Sequence, residues 1–220
     1  MIDMPIYTKS FDYENNFYLS CDSSRIGKAL VHYELYKRVL NLPGAIVECG
    51  VFKGASFSRF AMYRELIENS NSRKLIGFDI FDRFPETDFQ EDKNLRNKFI
   101  KSAGEESISV EQLYNVLENK RINKNIELIK GDITKTVPEY VKNHSELKIS
   151  MLNLDTDIYE PAVTILENLY PKIVKGGVLV IDDYGVFPGE TKAVDDYFRG
   201  KDITIEKLGL NATPSFIIKR

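Results

Sequence analysis

Apolar and polar residues follow one another along this chain in a pattern that predicts alternating strands and helices. Short apolar runs that fit strands are separated by longer segments whose apolar residues recur at helical spacing. Alternation of this kind favours parallel strands joined by right-handed helical crossovers. The predicted strands are 45–49, 74–79, 126–129, 147–154 and 178–181, and the helices that join or follow them are 55–68, 110–119, 138–143 and 161–174.

The N-terminal part of the chain stands outside this alternation. Residues 1–22 interleave aromatic and polar side chains with no clear period, and we interpret them as an arm. Residues 23–40 carry apolar side chains at helical spacing, with serines that can cap the start of a helix and a Pro-Gly pair beyond its end. The sequence therefore predicts an N-terminal arm and helix over 1–43 and a sheet domain over 44–220.

Two further segments complete the expected architecture. Residues 83–109 are too long for an ordinary strand-to-helix connection, and their charged and aromatic composition fits either a lid-like helix over a cleft or a solvated surface excursion. A helix near 191–198 precedes two late strands, 203–207 and 215–219, which we expect to add an antiparallel edge to the sheet. The predicted fold is an α/β, doubly wound, mostly parallel sheet of seven strands.

Composition and charge narrow the class of protein. The 220 residues are 43% hydrophobic and 29% charged, which is ordinary usage for one globular domain. A net charge of -3 and the absence of a dense Lys/Arg stretch argue against a nucleic-acid partner. No apolar run approaches the roughly 20 residues that span a bilayer, and the first residues lack the pattern of a secretory leader. With only two cysteines, the chain is expected to be cytoplasmic.

Two acidic doublets are the most informative chemical feature of the sequence. Asp155 and Asp157 directly follow the fourth predicted strand, and Asp182 and Asp183 directly follow the fifth. If these strands are neighbours, about 4.8 Å apart, four carboxylates converge on one edge of the sheet and repel one another unless a cation or retained protons compensate. A divalent metal is the simplest compensation. The alternative is that one doublet caps the next helix and the other forms a turn.

The first predicted strand leads into a glycine-containing loop that opens a helix. Gly50 and Gly54 are four residues apart, which is neither the Gly-x-Gly-x-x-Gly spacing of dinucleotide-binding folds nor a nucleoside-triphosphate loop. A glycine here lets the backbone approach a ligand closely, and ligands of open parallel sheets bind beyond the carboxyl ends of the strands. Ser56, at the opening of the helix, could meet a cofactor carboxylate or simply cap the helix.

Acidic residues also mark the ends of the first three predicted strands. Glu48 would suit a cationic amine or sulfonium, Asp79 could hold both hydroxyls of a ribose, and Asp132 is placed to accept a hydrogen bond from an adenine amine. Each acid alone could be no more than a helix cap. Together with Gly50, they predict binding of S-adenosylmethionine in a class I methyltransferase, whose sheet is Rossmann-like.

The stretches 47–56, 77–85, 153–161, 166–171 and 176–184 resemble the macrocin O-methyltransferase family, which methylates sugars of macrolide and aminocoumarin antibiotics and related glycans. The resemblance implies dependence on S-adenosylmethionine and on Mg²⁺, with Mn²⁺ as a substitute. It implies that Asp155, Asp182 and Asp183 are metal ligands and that Asp157 is the general base on a sugar hydroxyl. It also implies a homodimer in which the arm and the long insert cover the active site.

Three functions fit these residues. The first is Mg²⁺-dependent methylation of a sugar hydroxyl in a glycoside or sugar nucleotide. The second keeps the metal and cofactor but takes a catechol, since a metal-bound diol looks alike whether aliphatic or aromatic. The third is a non-catalytic protein that binds S-adenosylmethionine, for which neither Mg²⁺ nor the carboxylate of Asp157 would matter. The presence of all four acids favours an enzyme.

Overall fold

Seven strands form one mixed sheet in the computed structural model, which describes residues 2–220. The strands are β1 (Ala45–Cys49), β2 (Leu75–Asp79), β3 (Ile126–Lys130), β4 (Ile149–Leu154), β5 (Ile173–Ile181), β6 (Glu206–Lys207) and β7 (Ser215–Ile218). Their spatial order is β3-β2-β1-β4-β5-β7-β6. Strands β1 to β5 pair in parallel, whereas β7 pairs antiparallel with both β5 and β6. The predicted parallel sheet with an antiparallel edge is confirmed.

Helices cover both faces of this sheet. The α-helices within residues 2–220 are α1 (Ser10–Ser20), α2 (Ser23–Arg38), α3 (Ala55–Ile67), α4 (Gln90–Ala103), α5 (Val110–Asn119), α6 (Ile133–Asn143), α7 (Tyr159–Asn168) and α8 (Pro188–Phe198). Buried side chains of α2, α3 and α5 pack on one face, and those of α6, α7 and α8 pack on the other. None of the described helices combines the length and hydropathy that a membrane span requires.

The clearest differences between the structure and the sequence prediction lie in three regions. The arm contains the helix α1, none of whose side chains is buried, so no apolar period marks it in the sequence. Helix α6 begins at Ile133 rather than at Pro138, because the Asp132 side chain accepts a hydrogen bond from Thr134 N at 3.0 Å and caps the helix there. Strand β5 starts five residues before the predicted 178, so the helix predicted over 161–174 is wrong at its end, and α7 stops at Asn168.

The order of strands reverses between β1 and β4, which are neighbours although two strands separate them in sequence. At such a switch point the two chain connections leave in opposite directions, and a crevice opens beyond the carboxyl ends of the strands. The loops that follow β1, β4 and β5 therefore meet at one edge of the sheet. That edge carries the acidic doublets.

Candidate active site

A cavity of about 1380 Å³ lies beyond the carboxyl ends of the parallel strands. Its walls come from the loops after β1 to β5, from α1 and α2, and from the insert over residues 83–109. Of the site residues predicted from sequence, Glu48 alone does not line it, since its side chain is enclosed beneath the wall. The predicted residues that do line it are Gly50, Ser56, Asp79, Asp132, Asp155, Asp157, Asp182 and Asp183.

Carboxylates from two neighbouring strand ends meet in this cavity. Leu154 at the end of β4 is in register with Ile181 at the end of β5. Within residues 2–220, one group of potential metal ligands comes together here: Asp155, Asp157 and Asp183 each offer an oxygen, and the three oxygens lie within 4.8 Å of one another. The expected convergence of the fourth and fifth strand ends is thus present in the structure.

The electrostatics of this group favour a cation. Burial raises the pKa of Asp155 well above its usual range, and the charge of Asp182 raises it further. Burial and the neighbouring Asp183 raise the pKa of Asp157 in the same way. The pKa of Asp183 is also raised, by burial and then by Asp182. The three carboxyl groups cannot all carry a negative charge so close together unless a cation compensates. A hard divalent cation such as Mg²⁺ fits this role, because it binds carboxylates in preference to nitrogen or sulfur ligands.

Asp182 is in a different environment from the other three acids. Its Oδ2 forms an ion pair with Lys28, and its Oδ1 lies 3.7 Å from His32 Nε2. Burial opposes ionisation, but the Lys28 ammonium and His32 outweigh it and lower the pKa of Asp182 to about 2. Burial lowers the pKa of His32, which is therefore neutral near pH 7. Asp182 is held as a carboxylate mainly by the Lys28 ammonium, with the neutral His32 ring beside its other oxygen. Its Oδ1 still lacks a hydrogen-bond partner.

The glycine at the end of β1 permits a very close backbone contact. Gly50 has a φ of 93°, and a Cβ built on it would lie 1.6 Å from the carbonyl oxygen of Asp155. The Asp155 amide also donates to Cys49 O at 3.0 Å. Gly50 thus allows the loop after β1 to lie directly against the loop that carries Asp155 and Asp157.

Asp79 and Asp132 make protein contacts as well as lining the cavity. Asp79 accepts hydrogen bonds from Val51 N and Phe52 N, at 2.8 and 2.9 Å, and also from Phe81 N and the Ser107 hydroxyl. Asp132 caps α6. Helix capping, the alternative for these acids, is thus present at Asp132, whereas Asp79 fixes the loop after β1 instead. A cofactor contact at either residue stays a prediction.

Glu48 is 1% exposed and accepts a hydrogen bond from Asn153 Nδ2 at 2.9 Å. Burial raises its pKa to about 7, although hydrogen bonds from Ser56 and Asn153 act in the opposite direction. The second carboxylate oxygen, Oε2, has no hydrogen-bond partner. Glu48 is therefore a buried acid whose charge state depends on pH near neutrality.

We predict that Glu48→Gln reduces the pH dependence of the free energy of unfolding. The folded protein holds the Glu48 proton up to about pH 7, whereas the unfolded chain loses it near pH 4.5. The free energy of unfolding should therefore fall as pH rises between these values, by at most roughly 3 kcal/mol from this group. The neutral glutamine lacks this loss. Urea denaturation of the wild-type protein and the variant across this pH range, without divalent cations, tests the prediction. The same change of unfolding free energy with pH in both proteins would contradict the raised pKa of Glu48.

The insert over residues 83–109 contains α4 and contributes to the cavity wall. Phe84 and Phe99 line the cavity, and the Phe99 ring packs 5.5 Å from that of Phe52 in the loop after β1. Asp92 on α4 accepts hydrogen bonds from Gly189 N at 2.7 Å and from Tyr159 N at 3.1 Å. Helix α4 and its flanking residues thus form part of the cavity wall, and a lid function for this segment stays a prediction.

A family comparison identifies this arrangement. The model of the Macrocin-O-methyltransferase (TylF) family matches residues 31–214. This range contains β1 to β5 and the acidic cluster, which consists of Asp155, Asp157, Asp182 and Asp183. The chain belongs to the macrocin O-methyltransferase family. The resemblance drawn from the sequence motifs is therefore confirmed.

Two curated proteins are similar to this member of the macrocin O-methyltransferase family. Demethyldecarbamoylnovobiocin O-methyltransferase from Streptomyces niveus is 27% identical over 180 residues, which cover 78% of the chain and 64% of the relative. An 8-demethyl-8-(2,3-dimethoxy-alpha-L-rhamnosyl)-tetracenomycin-C 4'-O-methyltransferase from Streptomyces olivaceus is 28% identical over 169 residues, which cover 73% and 59%. The chain thus spans less than two thirds of the length of these relatives.

A solved structure supports the fold assignment. The crystal structure of CalS11, a calicheamicin methyltransferase, matches with a TM-score of 0.77 and 26% identity, covering 98% of this chain and 87% of CalS11. The predicted class I methyltransferase fold, with its Rossmann-like sheet, is therefore confirmed for this macrocin-type chain.

Sequence reasoning did not identify the basic residues beside Asp182 in this macrocin O-methyltransferase site. Lys28 and His32 are four residues apart on α2 and point to Asp182, which is 154 residues from Lys28 in sequence. Arg59 Nη1 lies 3.0 Å from His32 Nδ1, so a second cation stands on the far side of the neutral His32 ring. The signal in the sequence is weak: two basic residues at helical spacing on the face that also carries Val31 and Leu35 of the core.

Proposed function

We propose that this protein transfers the methyl group of S-adenosylmethionine to a hydroxyl of a sugar-containing small molecule, with Mg²⁺ or Mn²⁺ as a cofactor. The observation that carries the proposal is the convergence of Asp155, Asp157 and Asp183 in the cavity of a macrocin O-methyltransferase fold. The names of both curated relatives describe O-methyltransferases, and one of those names specifies a rhamnosyl group on its substrate. These names support a sugar hydroxyl as the acceptor.

The acids would divide the work by position. Asp155 and Asp183 would hold the cation. Asp182, the third ligand predicted from the sequence, lies outside the group of three converging oxygens and is paired with Lys28, so the Oδ1 beside His32 is the oxygen that it would offer. When bound, a divalent cation supplies positive charge that lowers the pKa of a nearby hydroxyl. Asp157 would accept the proton of the sugar hydroxyl as its oxygen attacks the methyl carbon. The new oxygen–carbon bond would form as the sulfur–carbon bond of the donor broke, which would release S-adenosylhomocysteine.

The methyl donor would occupy the part of the cavity near β1, β2 and β3. Gly50, Ser56, Asp79 and Asp132 line the cavity at the ends of these strands and are the proposed cofactor-binding residues, whereas Glu48, predicted with them, is enclosed beneath the wall. The cavity volume of about 1380 Å³ exceeds the roughly 300–1,000 Å³ of a typical single-ligand pocket. It therefore has room for a donor and an acceptor together.

We further propose a cytoplasmic homodimer. Helix α1 exposes large apolar side chains, including Phe11 at 72% and Leu19 at 87%, and such a surface suits burial against a second copy. The end of α1 also lines the cavity through Phe17 and Ser20. Light scattering of the purified protein checks the state, and a monomer mass at assay concentration would contradict a dimer.

The proposed function is tested by a methyl-transfer assay with a matched set of acceptors. Purified protein is incubated with S-adenosylmethionine and with sugar nucleotides, glycosides or catechols as acceptors. Each reaction contains Mg²⁺, Mn²⁺ or excess chelator, and the products are identified by mass spectrometry. We expect one added methyl group on a sugar, only with the cation present. Methylation of catechols alone would support the catechol alternative. Binding of the donor without transfer would support a non-catalytic protein, and undiminished turnover in chelator would exclude the metal.

A further inference from the structure

A buried carboxylate outside the acidic cluster contacts both loops that carry the cluster. Glu190, in the first turn of α8, is 0% exposed. Its Oε1 accepts a hydrogen bond from Asp183 N at 2.8 Å, in the loop after β5. Its Oε2 accepts from Thr156 N and Asp157 N, each at 3.3 Å, in the loop after β4. One side chain therefore bridges the two loops through their backbone amides.

We propose that Glu190 is a positioning residue that holds the loop of Asp155 and Asp157 in register with the loop of Asp183, and thereby sets the affinity for the divalent cation. The inference rests on the proposed function, because it concerns the same cation. It adds a residue that does not itself belong to the group of three acids. Groups that orient the ligands of a metal typically change metal affinity or activity by about 10–100-fold when they are replaced.

The chemistry of the position argues against a role in packing alone. A carboxylate placed beside other acids in a dry environment is costly: burial raises the pKa of Glu190 well above its usual range, and the charge of Asp183 adds to this effect. An apolar side chain would fill the space without that cost, but it would leave three amides of the two loops without an acceptor. The carboxylate is the group that offers acceptors to both loops at once.

Backbone conformation gives a second reason for the bridge. Asp157 has a φ of 63°, in the left-handed region that a residue with a side chain adopts at a cost of roughly 1–2 kcal/mol. Such a conformation persists only where the surroundings fix it. Glu190 fixes it from both sides, since its Oε2 accepts from Asp157 N and its own amide donates to Asp157 O at 3.3 Å.

Glu190 is itself held in place through the neighbouring Gly189. The Gly189 amide donates to Asp92 Oδ1 at 2.7 Å, and a Cβ on Gly189 would lie 1.9 Å from Asp92 Oδ2. Asp92 is buried and lies on α4. The start of α8 is thus anchored to the insert, which gives Glu190 a rigid base.

The test compares Glu190→Gln with Glu68→Gln. Glutamine at 190 replaces one acceptor oxygen with an NH₂ group that faces backbone N–H donors, so one loop loses its contact. Glu68 is a matched control, because it is also a largely buried carboxylate with several hydrogen bonds, from Arg73 and Tyr36, and it lies away from the cavity wall. Mn²⁺ binding is measured by electron paramagnetic resonance, and S-adenosylhomocysteine binding by calorimetry.

For Glu190→Gln we expect Mn²⁺ affinity to fall by about 10–100-fold, with S-adenosylhomocysteine affinity changed by less than about twofold and turnover partly restored at high Mg²⁺. Glu68→Gln should lower the melting temperature and leave Mn²⁺ affinity unchanged. If Glu190→Gln bound Mn²⁺ with the wild-type affinity, the positioning role would be overturned, but the proposed metal site would not. A wild-type protein that binds no Mn²⁺ would overturn the proposed metal and this inference with it.

A measurement on the wild-type protein keeps the inference testable if the variant does not fold. Amide hydrogen exchange followed by nuclear magnetic resonance reports each backbone N–H separately. The amides of Thr156, Asp157 and Asp183 should exchange slowly, because Glu190 accepts all three. Rapid exchange at these amides, beside slow exchange in β4 and β5, would overturn the bridge.

Discussion

Replacement of Asp157 by asparagine is expected to lower kcat for methyl transfer by about 10²–10⁴-fold, the usual contribution of a general base. The KM for S-adenosylmethionine and the affinity for S-adenosylhomocysteine should stay close to the wild-type values. The reason is that the amide of asparagine cannot accept the proton of the sugar hydroxyl, whereas the remainder of the cavity is unchanged. Steady-state kinetics with a saturating sugar acceptor and Mg²⁺ measure the effect.

Asparagine suits this test because of the backbone at this position. Asp157 has a φ of 63°, and asparagine enters the left-handed region more readily than most residues. The backbone amide that donates to Glu190 is retained. The side-chain amide can also donate to Asp183, whose side chain hydrogen-bonds that of Asp157. The substitution therefore removes the base without removing the contacts of the loop.

Asp202→Asn is the control for loss of a carboxylate as such, because Asp202 is exposed and pairs only with Arg220 among the ion pairs described. It should leave kcat unchanged. Full activity in Asp157→Asn would assign the base to another group. Loss of S-adenosylhomocysteine binding together with activity would instead show that Asp157 supports the cavity as a whole.

The sequence was sufficient to predict where the acids meet. The apolar runs before Asp155 and before Asp182 are long enough to be strands, and alternation with helices makes such strands parallel, so their carboxyl ends share an edge. What this reasoning could not supply is side-chain direction. Asp182 faces Lys28 and His32 on α2, whereas Asp157 faces Asp155 and Asp183.

Sequence patterns could not identify Glu190 as a residue that supports the site, and the reason is physical. Glu190 is in the first turn of a helix, where acids are common because they interact favourably with the helix dipole. Nothing in the local sequence shows that it reaches back to Thr156, 34 residues earlier. Helix α1 was missed for the opposite reason, since a helix that buries no side chain has no apolar period to detect.

The close contact at Gly50 leads to the largest expected effect on stability. Gly50→Ala should destabilise the protein by more than about 4 kcal/mol, which is a large part of the 5–15 kcal/mol that typically stabilises a native domain. Alanine at a φ of 93° is strained, and its Cβ would lie 1.6 Å from the carbonyl oxygen of Asp155. A backbone atom cannot rotate away as a side chain can, so the loop of Asp155 must move.

Gly200→Ala separates this clash from the cost of the backbone conformation. Gly200 has a φ of 75°, and a Cβ on it would meet nothing within 4 Å, so alanine there should cost only about 1–2 kcal/mol. Urea denaturation of the two variants measures the difference. If Gly50→Ala were no less stable than Gly200→Ala, the loop after β1 would not lie against the loop of Asp155. If it folds with reduced stability, the displacement of Asp155 should also weaken Mn²⁺ binding, which Gly200→Ala should leave unchanged.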